Sequence, residues 1–285
     1  MNKIAVIVSA VCMLLTPLVG IAANPEQDLK DFRSYFTDRF PETPLHDFIN
    51  GVYSVDKASR EQWEAFEEFP PYEIYVDKGE ALFNKSFKNG KSLASCFPGV
   101  KNGVKQNFPF FDTKRNEVIT VELAINECLE NNGEETLKWQ KGKMAHLSAY
   151  IAYKSRGKKG NVKIVNSDES MQWYERGKKH FYAKRGQLNM SCADCHVNNA
   201  GNRIRADVLS PALGHTSHFP VYRNKWSLAS KSGDGMGTLH RRYGGCNKQV
   251  RAKPFKPQSE EYRALEYFHT YMSNGLTLNG PGIRK

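Results

Sequence analysis

The pentapeptide Cys192-Ala-Asp-Cys195-His196 places two thiols three residues apart and an imidazole directly after the second. This is the attachment signature of a c-type haem: the thiols can form thioethers to the vinyl groups and the imidazole can reach the iron from the proximal side. In a reducing compartment the same residues could instead serve as a thiol pair or as part of a zinc site. The compartment therefore decides what the motif means.

The N-terminus speaks to that question. Lys3 precedes an apolar run from Ile4 to Val19, followed by Gly20-Ile21-Ala22-Ala23. A short positive region, a hydrophobic segment and small residues before a cleavage point predict a secretory signal over 1–23. The run is short for a spanning helix, and no later stretch is long and apolar enough for one, so no membrane insertion is expected. Cys12 would leave with the signal and has no lipobox-like context. Export together with a haem motif predicts a periplasmic location. The formal net charge of +11 then favours small oxyanions or an acidic protein partner; nucleic acid is not expected, since no recognition motif accompanies the charge.

Without Cys12, cysteines 96, 128, 192, 195 and 246 remain. If haem takes Cys192 and Cys195, the other three can form at most one disulfide in an oxidising compartment. Cys96 and Cys128 both lie in the N-terminal half, and pairing them would leave Cys246 as the odd thiol.

Three- and four-residue apolar spacing predicts helices within 26–90, with Pro70 and Pro71 ending one of them and Asp77–Phe83 opening another. Further helices are expected over 116–132, 137–153 and 259–272, the last with Ser259 as a possible cap. The aromatic stretch 168–182 reads as the helix that leads into the haem motif, and 259–272 as the closing helix that packs against it. The basic, glycine-containing stretch 155–160 reads as a loop between halves. The first half repeats the second in eroded form: Leu93-Ala-Ser-Cys96-Phe97 has Leu93 and Phe97 where a haem motif needs its first cysteine and its histidine. The expected fold class is thus all-α, with two cytochrome c-like domains: a haem-free domain over 24–160 and a haem-binding domain over 161–285.

The second iron ligand is open on these grounds. Met236 and Met272 are downstream methionines, and His215, His218, His240 and His269 are further candidates. Cys246 is the sharper choice, since it is the unpaired thiol and lies in Arg241-Arg242-Tyr-Gly-Gly-Cys246. The glycines allow close backbone approach, and the guanidinium groups would favour a thiolate.

Arg185 to His196, Leu209 to Arg223, Trp226, and Arg241-Arg242-Tyr-Gly-Gly-Cys246-Asn-Lys-Gln-Val-Arg251 together closely resemble the SoxA family. These are subunits of periplasmic SoxAX cytochromes, L-cysteine S-thiosulfotransferases of sulfur oxidation. The resemblance is specific from about 165 onward and looser over 28–160. Some members carry two haems; this chain keeps only Cys96 and Cys128 of the first site, which matches the single-haem branch with a disulfide between them. The resemblance implies one covalent haem c on Cys192 and Cys195, with His196 proximal. It implies Cys246 as distal ligand and catalytic sulfur, often found as a persulfide, and Arg242 as the group that orients thiosulfate. It also implies a SoxX-like cytochrome partner and a SoxY-like sulfur carrier. Arg241, Lys248 and Arg251 could extend a basic channel or be ordinary solvated charges. A purely electron-transferring cytochrome and a haem-based sensor are the competing readings.

Overall fold

A computed structural model describes residues 24–284; the expected signal segment and Cys12 lie outside the described residues. The chain runs through α1 (Pro25–Arg39), a 3-10 segment (Leu45–Ser54), α2 (Lys57–Glu67) and α3 (Glu73–Asn84). β1 (Phe110–Asp112), β2 (Glu117–Ile119), α4 (Val121–Asn131), α5 (Lys143–Lys154) and α6 (Asp168–Tyr182) follow. After the haem motif come β3 (Arg203–Ile204), β4 (Asp207–Val208), β5 (Val221–Arg223), α7 (Asn224–Leu228), β6 (Met236–Gly237), α8 (Leu239–Gln249), α9 (Glu260–Tyr271) and β7 (Gly282–Arg284). Among the described residues no helix is long and apolar enough to cross a membrane.

Helix starts follow local chemistry. Asn24 caps α1 by accepting from Gln27 N at 3.1 Å, with Pro25 in the first turn. Ser167 caps α6, where Asp168 and Glu169 occupy the first turn and Lys179 and His180 the last, the favourable order for the helix dipole. At α9, Ser259 holds the cap position with its backbone extended but makes no side-chain cap hydrogen bond.

Two helix pairs organise the molecule, and each crosses at a glycine. On α6, Gly177 lies so close to α9 that a Cβ there would overlap the carbonyl of Ala264. One turn later Phe181 meets Phe268, with ring centroids 5.5 Å apart. On α3, Gly79 makes the same approach to the carbonyl of His146 on α5, and Phe83 packs on Tyr150 at 5.2 Å. The spacing Gly-x-x-x-Phe is therefore used twice, each time to bring helix backbones together and lock them with an aromatic pair. The eroded motif stands beside the first pair. Leu93 and Phe97 are buried there, and Cys96 is joined to Cys128 of α4.

Several details differ from the sequence-based expectation. The molecule is mainly helical but not all-α: β1–β2 and β3–β4 are antiparallel hairpins, and β6–β5–β7 forms a mixed sheet. The helix expected over 116–132 begins only at Val121. Asn116 takes a left-handed conformation in a turn, Glu117-Val-Ile119 pairs as a strand, and Thr120 then caps α4. The helix expected from 137 begins at Lys143, because Asn126 holds the Leu137 backbone through both its N–H and its carbonyl and Gly142 adopts positive φ.

The cores also do not divide at residue 160. Phe32 and Phe36 of α1, and Phe48 after it, pack with Trp173, Tyr174 and Phe268 in the second core. Met236 and Ile283, from the C-terminal half, join Tyr75, Phe83 and Met144 in the first. The amphipathic face of α1 finds its apolar complement on Phe48 just after it and, across the sequence, on Phe181 of α6.

Candidate haem and thiol site

The loop before the haem motif is folded onto the helix that carries Cys246. Arg185 and Met190 exchange backbone hydrogen bonds, at 3.1 and 3.2 Å. Gly186, at positive φ, comes so near the Val250 carbonyl at the end of α8 that a Cβ would collide with it. Arg185 reaches back to α6, donating to His180 Nε2 at 2.7 Å. The motif itself is set by a reciprocal pair: Asp194 accepts from Ser191 N at 2.8 Å, while Asp194 N donates to Ser191 Oγ at 2.9 Å. Those bonds hold the Asp194 carboxyl below its usual range. They also start the helical turn Asp194–Asn198, which carries Cys195 and His196.

His196 Nδ1 lies 2.8 Å from the Ser210 carbonyl, and Ala212 N donates to the His196 carbonyl. Donation from Nδ1 leaves Nε2 as the basic nitrogen. Cys246 from α8 lines the same cavity as the ring, near enough for His196 to favour its thiolate. Arg242 lies one turn before Cys246 on that helix, so helical periodicity puts guanidinium and thiol on the same face. Behind them Tyr243 OH pairs with His269 Nδ1 at 3.1 Å, and Asn247 Nδ2 donates to the Tyr262 hydroxyl at 3.0 Å.

Cys192, Cys195, His196, Arg242, Cys246 and His269 together line a cavity of about 360 Å³. Its three cysteines are all free thiols. Burial alone would raise the Cys246 pKa, but the Arg242 charge, the neighbouring His196 ring and the Arg223 charge outweigh it and bring the value to about 7. Burial and the Cys246 charge instead push Cys192 up to about 12. The surroundings therefore favour thiolate at Cys246 and the neutral thiol at Cys192 and Cys195.

The donor set fits a covalent haem c. Two free thiols at the required spacing share the cavity with an imidazole and an opposing thiol. Buried His215 Nδ1 and His269 Nε2 line it without a hydrogen-bond partner among the described residues. Cys192 and Cys195 would hold a bound haem, and His196 and Cys246 would offer its iron a nitrogen and a sulfur donor.

Of the other ligand candidates, Met236, Met272, His218 and His240 fall elsewhere. Met236 is buried in the first core and Met272 in the second. His240 lies 3.0 Å from Glu266 and accepts from Gln258 N through Nδ1. His218 is buried against Ile49. His215 and His269 border the cavity as neighbours of His196, with the His215 ring 4.7 Å from it. Arg241 turns away from the cavity: it stacks on Trp226 at 4.0 Å and donates to the Met236 carbonyl. Lys248 and Arg251 are exposed. Sequence reasoning missed Arg223, whose charge acts on both Arg242 and Cys246. It also missed the Tyr243–His269 pair, which no local spacing announces.

Comparison with known proteins agrees with this geometry. The pattern of the SoxA/TsdA cytochrome c domain family matches residues 78–159, the half that lacks the haem pentapeptide. The chain is 54% identical over 281 residues to L-cysteine S-thiosulfotransferase subunit SoxA of Chlorobaculum tepidum, covering 96% of this chain and 95% of the relative. It is 50% identical to the protein of the same name from Allochromatium vinosum, covering 93% and 92%. Among solved structures, SoxXA from P. pantotrophus matches with a TM-score of 0.70 at 34% identity, covering 79% of this chain and 84% of that one.

Proposed function

The chain belongs to the SoxA family of L-cysteine S-thiosulfotransferase subunits, and on that footing we propose that Cys246 is the sulfur through which thiosulfate passes to a carrier cysteine. The activity is oxidative conjugation of thiosulfate to a protein cysteine by a haem c-bearing cytochrome subunit. One observation carries the residue assignment: the odd thiol lines one cavity with the imidazole and both thiols of the haem motif, with a guanidinium one turn away on the same helix.

Each residue's part follows from its chemistry. Arg242 offers a fork of donors to the sulfonate oxygens of thiosulfate and holds Cys246 toward thiolate. The outer sulfur of thiosulfate bonds to Cys246 Sγ with loss of two electrons. The carrier thiolate then attacks that outer sulfur, forming the carrier S-thiosulfonate and releasing Cys246 as thiolate. Haem c, when bound, supplies the electron-accepting centre. Tyr243 and His269 brace α8 from behind.

The finer assignments belong to the same proposal. One haem would be held by Cys192 and Cys195, with His196 and Cys246 supplying ligands to its iron. The first core is a cytochrome c-like unit without haem: the doubled Gly-x-x-x-Phe crossing supports the kinship, and the link to Cys128 occupies Cys96, the one motif cysteine that the eroded copy keeps. The protein works in the periplasm after losing residues 1–23, with a SoxX-like cytochrome as its electron exit and a SoxY-like protein as carrier.

The test is Cys246→Ser in the assembled complex, with thiosulfate and carrier supplied and the product read by intact mass. Conjugation falls by about a thousandfold while one haem stays covalently attached. Unimpaired conjugation overturns the assignment of Cys246 as the sulfur through which thiosulfate passes.

A further inference from the structure

A second, smaller cavity adjoins the haem cavity and holds ionisable groups that the thiosulfate chemistry does not use. Its volume is about 20 Å³, room for about one water-sized group, and Glu122 of α4 and Glu266 of α9 both line it. Glu122 is 8% exposed and Glu266 7%, so carboxyl groups from two different cores are buried around one small space. His240 of α8 lies 3.0 Å from Glu266, Ser148 of α5 donates to Glu122 Oε1 at 2.9 Å, and Lys105 completes the charged lining. His240 uses Nδ1 to accept from Gln258 N. Its Nε2 and Glu266 Oε2 stand within ion-pair range but outside hydrogen-bond geometry. Both buried atoms are therefore without a hydrogen-bond partner among the described residues. Polar atoms buried this deeply are ordinarily satisfied.

Two buried carboxyl groups around one cavity cannot both ionise without a large cost, so such a pair binds a proton as a unit. Burial, followed by the Glu266 charge, raises the Glu122 carboxyl above its ordinary range, while Lys105 and His240 act the other way. Lys105, Gln106 and Gly160 in the cavity wall are only half-buried, which gives a proton a route to solvent. Elsewhere in the wall, Phe219 and Leu239 line both this cavity and the haem cavity. One layer of apolar side chains therefore separates the two, and a change of charge on one side is poorly screened on the other. The Glu266 charge acts on Tyr243, which lines the haem cavity.

We infer that Glu122 and Glu266 form a proton-binding site linked to the haem: the pair takes up one proton from solvent when the haem gains one electron, and releases it when that electron passes on. Conjugation of thiosulfate supplies the electrons, and the proton balances the charge of the one held inside the protein. The inference rests on the haem reading of the larger cavity and is independent of the sulfur chemistry assigned to Cys246. It gives α4, an element of the first core, a part in setting the haem potential.

The test is a redox titration of the assembled complex at intervals between about pH 5 and 9, with this chain's haem followed by its electron paramagnetic resonance signal. In unsubstituted protein the reduction equilibrium weakens as pH rises, by up to tenfold per pH unit, or about 59 mV for one electron. Glu122→Gln, which mimics the protonated acid, and Glu266→Gln each remove at least half of that slope. A merely structural effect moves the potential equally at every pH and leaves the slope. Infrared difference spectra give a second readout: reduction brings in the carbonyl band of a protonated carboxylic acid, and Glu122→Gln removes it. An unchanged slope in either variant overturns the inference, as does a difference spectrum of the unsubstituted protein without that band. If intact mass shows no covalent haem on this chain, the haem reading fails and the inference with it. If haem is present and Cys246→Ser conjugates at full rate, the sulfur assignment alone fails.

Discussion

Gly177 on α6 stands directly over the backbone carbonyl of Ala264 on α9, leaving no room for a side chain, and Gly79 repeats this relation to His146 in the other core. The helix that leads into the haem motif is thereby held at backbone distance from the closing helix.

Gly177→Ala therefore forces the α6–α9 pair apart. Gain of helix propensity is about 1 kcal/mol, but overpacking against a backbone atom that cannot rotate away costs about 1–3 kcal/mol or more. Denaturant titration is expected to show net destabilisation for Gly177→Ala and for Gly79→Ala. Glycine to alanine at Gly133, with open space around it but positive φ, is expected to cost only the backbone strain.

Arg242 acts on an anion and on a thiol at once. Arg242→Gln is expected to lower kcat/KM for thiosulfate by about 10²–10³-fold, the size of effect seen when one preorganised charge donor is removed. Arg242→Lys keeps the charge but loses the fork, so its rate falls between the two. Steady-state conjugation assays check both, with unchanged haem content as the control for folding.

The Cys96–Cys128 link closes a loop with a sequence separation of 32 in the first core. Restriction of the unfolded chain over such a loop is worth about 3–4 kcal/mol. Replacing both cysteines by alanine is expected to lower unfolding stability by that order while conjugation at 25 °C continues, since neither sulfur lines the catalytic cavity. Urea titration and the conjugation assay measure the two effects separately.

His180 is buried beside Arg185, and burial followed by that positive charge pulls its pKa down to about 3. The native state therefore refuses a proton that the unfolded chain accepts below about pH 6.5. The stability linked to His180 is fully present above that pH and is lost as pH falls toward 3. Between pH 6.5 and 5 the loss is about 2 kcal/mol. His180→Gln, whose Oε1 can accept the Arg185 hydrogen bond, is expected to show a correspondingly smaller fall in urea midpoint over that interval.

Much of the site was readable before folding was considered. Cys192, Cys195 and His196 act within five residues, so their chemistry is carried by local spacing. Arg242 and Cys246 are one helical turn apart, and an odd cysteine count pointed to the latter. Arg223 and the Tyr243–His269 pair were not readable, because they join the site from separate elements. The strand at Glu117–Ile119 was hidden for a related reason: its three residues fit a helical pattern until pairing with Phe110–Asp112 is known.

The sequence by itself determined the covalent chemistry available to this chain, the loss of a haem motif at Leu93–Phe97, and the glycine–aromatic spacing of both helix pairs. Those are short-range properties, set by bonded neighbours and by the period of a helix. Tertiary structure alone decided that Cys246 and His196 line one cavity, that Arg241 turns to Trp226 while Arg242 serves the cavity, and that α1 packs into the second core. An apolar stripe states that a helix must be covered but not by what. The partner is chosen only when whole elements compete for the same buried surface.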